Sequence, residues 1–423
     1  MAKQKTDYLI IGNSAAGINA IEAIRERDKK GKITLVDQED APVYSKPLLS
    51  YYIAGKVDDE KLLYRPRDFY EKNEVVTLFG QKATAINPKQ KKVFLDSGEI
   101  SYDQLLLATG SSPIFPNLKG VHLKGVFVVR KFADAKGILE RTRQARDVLF
   151  VGGGFVSLRT AYALHQRGLK VTIVVASDQL LSRSLDLEAA NIVRTRLEQK
   201  GFKIITGRDV TQIEGREEVE GVSLDNGELV KAQLVVIGKG VRPNVSLARD
   251  SGIRVNKGIL VDDYLQTNQK HIYAAGDVAE TFDVAREERA LNALWPNATE
   301  QGHIAGLNMA GAKRKYAGSL GMNSLEFFDL PLISMGVTNP YDKEDFEILV
   351  KRVPEKNIYK KVVLKKGVVK GAILVGEIDR AGLITGIIKE KTNVSAFKEE
   401  LLEEGFGLIR LPDSLKKEKI LEP

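Results

Sequence analysis

The stretch from Thr6 to Asp37 constrains the fold of this chain more than any other part of the sequence. The hydrophobic run Tyr8–Ile11 predicts a buried parallel strand, and the tight turn Gly12–Gly17 leads from it into an amphipathic helix. A second predicted strand, Ile33–Val36, ends on the acid Asp37, which lies 20 residues after Gly17 (37 − 17). A strand, a small-residue turn, a helix, a strand and an acid in this order are typical of a dinucleotide-binding βαβ unit.

Each part of this unit meets a physical need of dinucleotide binding. Gly12 permits the tight turn, and the small Ser14 lets a pyrophosphate approach the backbone, although Ser14 departs from the G-x-G-x-x-G pattern. Gly17 permits close packing of helix on strand, and the amides at the helix N-terminus bind phosphate. Asp37 can accept hydrogen bonds from ribose hydroxyls. The alternative is an ordinary βαβ unit that binds nothing.

The absence of cysteine limits the chemistry of the chain. With no cysteine among 423 residues, disulfides, a catalytic thiol, a redox-active cysteine pair and a cysteine-ligated iron–sulfur cluster are excluded. The four histidines show no metal-ligand spacing, so we predict no metal site. Any redox chemistry must therefore use a bound organic cofactor or the metal of a partner.

The charge balance bears on partners and location. The net charge of +8 indicates either a solvated, heat-adapted surface or a surface that docks an acidic protein. We find no nucleic-acid-binding motif. A strand begins within about ten residues of the start, too early for a signal peptide, and no apolar run approaches the ~20 residues that cross a bilayer. We expect a cytoplasmic protein that does not enter the membrane.

A second glycine-rich turn lies in the middle of the chain. The predicted strand Val148–Val151 precedes Gly152-Gly153-Gly154 and a helix, but Ser157 replaces the third glycine of the pattern. The following strand ends at Val175 without the acid that would hold a ribose. The missing acid indicates either tolerance of a 2′-phosphate, with Arg183 as its partner, or a weakened site.

Lys46 follows the strand that ends in Asp37, on a segment that can lie over a cofactor. A positive charge beside an electron-accepting ring stabilises the negative charge that arrives on reduction, so Lys46 is our catalytic candidate. The alternative is a lysine exposed on a loop.

Further segments are predicted to face a cofactor. The strand Leu105–Gly110 ends in Ala-Thr-Gly, and the short strand from His271 ends in Gly276-Asp277. A long helix is predicted to begin near Trp295 and Pro296, with its positive dipole end available to an anionic ring. The region from Ser319 to about Leu411 is predicted to mix strands with a helix near 396–404, and the tail SLKKEKILEP to be frayed.

These motifs, in this order, resemble the FAD-dependent pyridine nucleotide–disulfide oxidoreductase superfamily, and within it NADH:rubredoxin reductases and the flavin part of assimilatory nitrite reductases. The resemblance extends over roughly residues 6–310. The segments that carry it are GNSAAG with Asp37, YSKPLLS, LLLATGSSP, VGGGFVSLRTA, GVRPN, LQTNQKHIYAAGDVAE and LWPNATEQGHIAGLNMAG.

The resemblance implies an α/β fold with two Rossmann-like, glutathione-reductase-like domains and a C-terminal α+β domain. It implies an FAD-binding domain in two segments, 1–117 and 243–318, an NAD(P)-binding-like domain at 118–242, and a C-terminal interface domain at 319–423. FAD is the cofactor that it implies, with NAD(P)H as the pyridine nucleotide.

The resemblance and the motifs together predict the residues of the site. For FAD they are Gly12, Ser14, Ala15, Ala16, Asp37, Gln38, Lys46, Pro47, Lys82, Ala83, Ala108, Thr109, Gly110, Arg130, Gly276, Asp277, Trp295 and Thr299. For NAD(P)H they are Gly152, Gly154, Phe155, Val156, Arg159 and Arg183.

Three departures from the family pattern qualify its implications. The redox-active cysteine pair is absent, which argues against disulfide substrates. The acid expected near Val175 is also absent. Arg159 stands where the family commonly has Glu near the nicotinamide, and its charge would disfavour the cationic, oxidised ring. The alternative for Arg159 is a side chain turned to the surface.

Two functions follow. The first is an FAD-dependent oxidoreductase that transfers electrons between NAD(P)H and a small, acidic rubredoxin- or ferredoxin-like protein. The alternative is an FAD electron-transfer subunit with a degraded nicotinamide site, which exchanges electrons with an iron–sulfur partner. Whether the chain is a monomer or a homodimer stays open.

Overall fold

The computed structural model describes residues 4–342 and 344–407 of the chain. In this part the α-helices are α1 (Ala15–Arg27), α2 (Leu49–Ile53), α3 (Asp59–Leu62), α4 (Phe69–Lys72), α5 (Phe132–Arg141), α6 (Phe155–Gln166), α7 (Leu187–Gln199), α8 (Ser246–Arg249), α9 (Trp295–Met309) and α10 (Ala381–Lys389). Short 3₁₀ helices lie at Lys46–Leu48, Pro354–Lys356 and Lys398–Leu402.

The strands of the same part, in chain order, are β1 (Gln4–Ile11), β2 (Ile33–Asp37), β3 (Val75–Phe79), β4 (Ala83–Asn87), β5 (Lys92–Leu95), β6 (Gly98–Leu107), β7 (Ser111–Pro113), β8 (Val126–Phe127), β9 (Asp147–Val151), β10 (Lys170–Val175), β11 (Lys203–Thr206), β12 (Val210–Gly215), β13 (Val219–Leu224), β14 (Leu229–Lys231), β15 (Leu234–Ile237), β16 (Val241–Pro243), β17 (Ile259–Leu260), β18 (Ile272–Ala274), β19 (Ala279–Asp283), β20 (Glu288–Ala290), β21 (Met322–Phe327), β22 (Leu330–Gly336), β23 (Glu347–Val353), β24 (Ile358–Lys365) and β25 (Val368–Val375).

The first sheet joins strands from two distant parts of the chain. Its order is β3-β2-β1-β6-β5-β4, and β18 pairs with β6. In β1, Ile10 lies opposite Leu35 on one side and Leu106 on the other, in parallel register. Leu9 and Ile10 are completely buried, as expected of a parallel strand covered on both faces. The predicted βαβ unit therefore forms the centre of this sheet.

A second parallel sheet lies in the middle of the sequence, with the order β11-β10-β9-β15-β8. The antiparallel strands β12, β13 and β14 form a separate three-stranded sheet. Strands β7 and β16 pair with each other, with Ser112 opposite Arg242. The chain therefore leaves the first sheet and returns to it along two segments that lie side by side.

The last sheet is antiparallel, with the order β21-β22-β25-β24-β23. The helix predicted near 396–404 is wrong in type, since Lys398–Leu402 forms a short 3₁₀ helix. The α-helix of this region is α10, whose sequence AGLITGIIK buries Ile384, Ile387 and Ile388. Its two glycines obscured the helical pattern. The tail SLKKEKILEP lies outside the described residues.

Asp186 joins the last sheet to the second one. It precedes α7 and accepts a hydrogen bond from the amide of Ala189 at 3.0 Å. It also accepts from the Tyr359 hydroxyl at 2.6 Å and from Lys361 Nζ at 2.9 Å. Lys361 is buried. Burial by itself raises the pKa of Asp186, but the hydrogen bonds from Tyr359, Lys361 and the amide outweigh burial and hold the pKa below its ordinary value.

We expect Asp186→Asn to lower the free energy of unfolding by about 3 kcal/mol, because it leaves the Lys361 ammonium buried without its counter-charge. Glu198→Gln on the same helix removes the solvent-exposed pair with Arg194 and should cost less than about 1 kcal/mol. Denaturant unfolding measures both. Equal losses in the two variants would contradict this role of Asp186.

The stabilisation by Asp186 should also depend on pH. Because the carboxyl pKa is lower in the folded than in the unfolded chain, its contribution is complete above about pH 4 and is lost as the pH falls through the folded-state pKa. The stability difference between the wild type and Asp186→Asn should therefore shrink in acid.

Candidate active site

The first glycine-rich turn brings two backbone segments into close contact. Gly12 has a φ of +122°, and a Cβ atom there would lie 2.1 Å from the carbonyl oxygen of Ala108. A Cβ atom at Gly17 would lie 2.0 Å from the carbonyl oxygen of Gly12. These approaches exclude any side chain at either position. The start of α1 therefore lies directly beside the end of β6.

Asp37 lies at the end of β2, with its carboxylate held by backbone amides. The amide of Asn13 donates to Oδ2 at 2.6 Å, and the amide of Glu39 donates to Oδ1 at 2.7 Å. Burial raises the pKa of Asp37 above its ordinary value, although these amides oppose the rise. Since an ionised carboxylate has about four acceptor sites, it can still accept from a ligand hydroxyl.

A cavity of about 440 Å³ begins at this turn. The predicted residues that line it are Gly12, Asp37, Gln38, Lys46, Lys82, Ala83, Ala108, Thr109, Gly110 and Arg130. Asn244, which the sequence analysis did not single out, also lines it. The Asn244 amide donates to the carbonyl of Thr109 at 2.8 Å, and the Thr109 hydroxyl donates to the carbonyl of Asn244 at 2.9 Å.

A second cavity, of about 570 Å³, adjoins the first. The predicted residues along it are Ser14, Ala15, Ala16, Lys46, Pro47, Ala108, Gly110, Arg130, Phe155, Val156, Arg159, Gly276, Asp277 and Trp295. Because Lys46, Ala108, Gly110 and Arg130 line both cavities, we treat the two as one cleft. This cleft has an acid at one end and the start of α9 at the other.

Lys46 contributes its charge to the middle of this cleft. Burial lowers its pKa, and the nearby guanidinium of Arg130 lowers it further. The carboxylates of Glu39, Asp37 and Asp277 act in the opposite direction. The ammonium group is therefore a partly desolvated cation next to the space that a ligand can occupy.

Asp277 and Arg130 form an ion pair on the wall of the cleft. Arg130 Nη2 lies 2.8 Å from Asp277 Oδ2, and the hydroxyl of Ser111 donates to the same oxygen at 2.7 Å. Gly276, just before Asp277, has a φ of +81° and donates its amide to Gln301 Oε1 at 2.8 Å. The pair Gly276-Asp277, which was predicted at the end of the short strand from His271, therefore lies on the cleft.

Helix α9 is positioned by two glycines that the sequence analysis did not single out. A Cβ atom at Gly302 would lie 2.1 Å from the carbonyl oxygen of Ala16, and one at Gly306 would lie 2.4 Å from that of Ala20. Glycines four apart lie on one face of a helix, so their spacing indicates a face for close packing but not the segment that packs there. This contact lets α9 cross α1 closely and places Trp295 on the cleft.

Thr299 is the predicted FAD residue that lines neither cavity of the cleft. Its hydroxyl donates to the carbonyl of Pro296 at 2.7 Å. Its role stays a prediction.

The second glycine-rich turn begins α6. Gly152 has a φ of +113°, and a Cβ atom there would lie 2.4 Å from the carbonyl oxygen of Gly238. A Cβ atom at Gly238 would in turn lie 1.8 Å from Ser157 Oγ, so Gly238 makes room for the serine that replaces the third glycine. Gly238 was not predicted, although it follows the end of β15 as Ala108 follows the end of β6.

A third cavity, of about 540 Å³, opens at this turn. Gly154, Phe155, Val156 and Arg183 line it, whereas Gly152 shapes the turn itself. Val175 is buried at the end of β10 and its carbonyl accepts from the amide of Arg208 at 3.2 Å. The backbone of Arg208 therefore lies beside the position where the ribose acid is missing, and Arg183 lines the cavity that opens at the same turn. The choice between NADH and NADPH stays a prediction.

The cleft fits a dinucleotide with a redox-active ring. It combines a turn that only glycine permits, an acid at the end of the adjacent strand, small residues where backbone approaches, and a desolvated lysine. Within the described residues, no group of three or more His, Asp or Glu side chains could hold a metal ion. No helix in this same part of the chain is long and apolar enough to cross a membrane.

Two sheets built around parallel strands, each with a glycine-rich turn that leads into a helix N-terminus, define a protein with two dinucleotide-binding folds. A family model described as "Pyridine nucleotide-disulphide oxidoreductase" matches residues 6–302, and one described as "Rubredoxin NAD+ reductase C-terminal domain" matches residues 322–392. The chain belongs to the pyridine nucleotide–disulphide oxidoreductase family. This confirms the predicted family and fold, and with them FAD as the cofactor and NAD(P)H as a possible pyridine nucleotide.

Three relatives show the extent of the similarity. The epsilon subunit of the NADH-dependent phenylglyoxylate dehydrogenase of Aromatoleum evansii is 31% identical over 95% of this chain and 96% of its own length. The nitrite reductase [NAD(P)H] of Bacillus subtilis (strain 168) is 31% identical over 92% of this chain, which spans only 48% of that protein. The crystal structure of NADH:rubredoxin oxidoreductase from Clostridium acetobutylicum has a TM-score of 0.77 and 27% identity, and it covers 93% of this chain and 97% of its own.

Proposed function

We propose that this chain is an FAD-dependent oxidoreductase that transfers electrons between NAD(P)H and a small protein carrier with its own iron centre. One observation carries the proposal. The cavity of about 570 Å³ is lined both by residues of the first glycine-rich turn and by the first turn of α6. Since hydride transfer requires the two rings to meet, a cavity shared by the two turns is where they can do so.

We propose that the chain is divided into three domains. Segments 1–117 and 243–318 form the FAD-binding domain, 118–242 form the NAD(P)-binding domain, and 319–423 form the C-terminal interface domain. The pairing of β18 with β6 supports the two-segment domain. The pairing of β7 with β16 supports two crossings between domains.

We assign roles to the residues of the cleft on this basis. Gly12, Ser14 and the amides that begin α1 hold the pyrophosphate, and Asp37 accepts from the adenosine ribose. Asp277 holds the ribityl–pyrophosphate region, while the ion pair with Arg130 holds that carboxylate in place. A bound flavin would supply the redox chemistry, with acceptance of a hydride and release of electrons singly or in pairs.

Lys46 and α9 tune the charge of the ring site. The Lys46 ammonium stabilises negative charge that arrives on reduction, and the N-terminus of α9 adds a positive partial charge from its unpaired amides. No protein nucleophile is required, in agreement with a chain that has no cysteine.

The carrier is inferred from chemistry and charge. Without cysteine the chain ligates no iron–sulfur cluster by thiolate, so an iron–sulfur centre in the electron path would belong to a partner. A net charge of +8 supports an acidic partner through electrostatic steering. The match of the C-terminal region to a rubredoxin NAD+ reductase domain supports a rubredoxin-like or ferredoxin-like protein.

The second glycine-rich turn supports a second candidate function. Val175, Ser157 and Arg159 each depart from a strong nicotinamide site, and the Aromatoleum relative is named as a subunit of a larger enzyme. In this case the chain is an FAD electron-transfer subunit that exchanges electrons with an iron–sulfur partner and uses nicotinamide poorly or not at all.

Steady-state reduction of an acidic rubredoxin by NADH or NADPH, under anaerobic conditions, tests the proposal. We expect turnover with at least one coenzyme, and a rate that falls as salt is raised from about 0.05 M to 0.5 M because exposed charges are screened. Reduction of the rubredoxin by an iron–sulfur donor but by neither coenzyme would favour the second candidate. Turnover that does not depend on salt would contradict electrostatic docking.

The role of Lys46 is testable through the flavin midpoint potential. We expect Lys46→Met to lower this potential by about 30–60 mV, which corresponds to ~1.4–2.8 kcal/mol for a two-electron couple, because the reduced ring loses a stabilising cation. Lys56→Met, a change outside the FAD cleft, is the control. An unchanged potential in Lys46→Met would contradict the role.

A further inference from the structure

Arg159 lies one turn into α6, on the cavity where the two rings are proposed to meet. The same cavity is lined by Lys46 and Trp295 from the flavin side and by Phe155 and Val156 from the second glycine-rich turn. The alternative of an arginine turned wholly to the surface therefore does not apply, although the side chain is only partly buried.

The guanidinium of Arg159 is held by the C-terminal sheet. Its Nη2 donates to the carbonyl oxygen of Ser324, in β21, at 2.9 Å. Ser324 itself lines the cavity. A carbonyl neutralises no charge, and no carboxylate in the described parts of the chain lies within 4.0 Å of this guanidinium as an ion pair. Arg159 therefore has no ion-pair partner in the described parts of the chain, although Glu326 and Lys56 line the neighbouring groove with it.

The other charges on this cavity do not cancel that of Arg159. Lys46 is a second cation, and Asp277, the acid on this wall, is already paired with Arg130 at 2.8 Å. The net positive charge of the cavity repels a cation that enters it, whereas it does not repel a neutral ring.

Reduced and oxidised nicotinamides differ in the charge of the ring. The dihydronicotinamide ring is neutral, and loss of its hydride to the flavin leaves a pyridinium cation. We propose that Arg159 makes this site bind the reduced coenzyme more tightly than the oxidised one, by like-charge repulsion that acts on the product alone. This inference rests on the proposed function. In this proposal Arg159, which is held by the carbonyl of Ser324, favours the release of oxidised nicotinamide.

The test compares two probes that do not react with the oxidised flavoprotein. One is NAD+ and the other is tetrahydronicotinamide adenine dinucleotide, a neutral and redox-inert analogue of NADH; the corresponding phosphorylated pair covers NADP(H). Calorimetry on the FAD-loaded chain gives both dissociation constants, and their ratio removes any general effect on the site. In the wild type the neutral probe should bind more tightly.

We expect the preference for the neutral probe to fall by about tenfold in Arg159→Gln and further in Arg159→Glu, as expected for removal of one partly screened like charge. Arg159→Lys should retain the preference, because it retains the charge. Lys56→Gln removes a cation from the neighbouring groove that Arg159 also lines, and it should leave the ratio unchanged. In the wild type, added salt should reduce the preference.

Other outcomes are decisive in the opposite direction. If Arg159→Gln weakens both probes equally, or leaves the ratio within about twofold of the wild type, the charge effect is absent and the inference is wrong. If the wild type binds neither probe of either pair, the inference and the proposed nicotinamide function fail together. If both probes bind but the ratio of their dissociation constants does not depend on Arg159, the proposed function stands and the inference alone is overturned.

Discussion

The contact between Gly12 and the backbone of Ala108 is the constraint on which the rest of the cleft depends. At 2.1 Å from a hypothetical Cβ to the carbonyl oxygen, it admits no residue other than glycine. It places the start of α1 beside the end of β6 and opens the cavity toward Asp37. At the other end of the cleft, Gly302 likewise has no side chain where α9 crosses close to α1. Glycine thus permits the close backbone contacts at both ends of the cleft.

Electrostatics then gives the cleft its chemistry. One end has an acid held by two amides, the middle has a desolvated lysine, and the far wall has the paired Arg130 and Asp277. Arg159 adds a cation without an ion-pair partner in the described residues, where the two glycine-rich turns share a cavity. In the proposed function, this arrangement favours negative charge on a reduced ring and disfavours a cationic product.

The sequence predicted those parts of the structure that are encoded locally. The order strand, turn, helix, strand and acid is visible from Thr6 to Asp37, and the parallel strands of the first two sheets follow from buried hydrophobic runs. Contacts between distant segments were not predictable in this way. Gly302 against Ala16, Gly238 beside Ser157, and Asp186 with Lys361 each depend on which segments meet, and no local pattern specifies that. The helix at Ala381–Lys389 was missed because its glycines obscure a helical pattern.

The central claim is that the cleft holds FAD and that the adjoining cavity admits a nicotinamide that can reduce it. Anaerobic titration of the FAD-loaded chain with NADH, and separately with NADPH, tests this claim most directly through the visible absorption band of the flavin. We predict that one of the two coenzymes bleaches the band at about one equivalent per flavin, as a two-electron hydride transfer requires. A flavin that stays oxidised with an excess of both coenzymes, yet is bleached by dithionite, would contradict the claim.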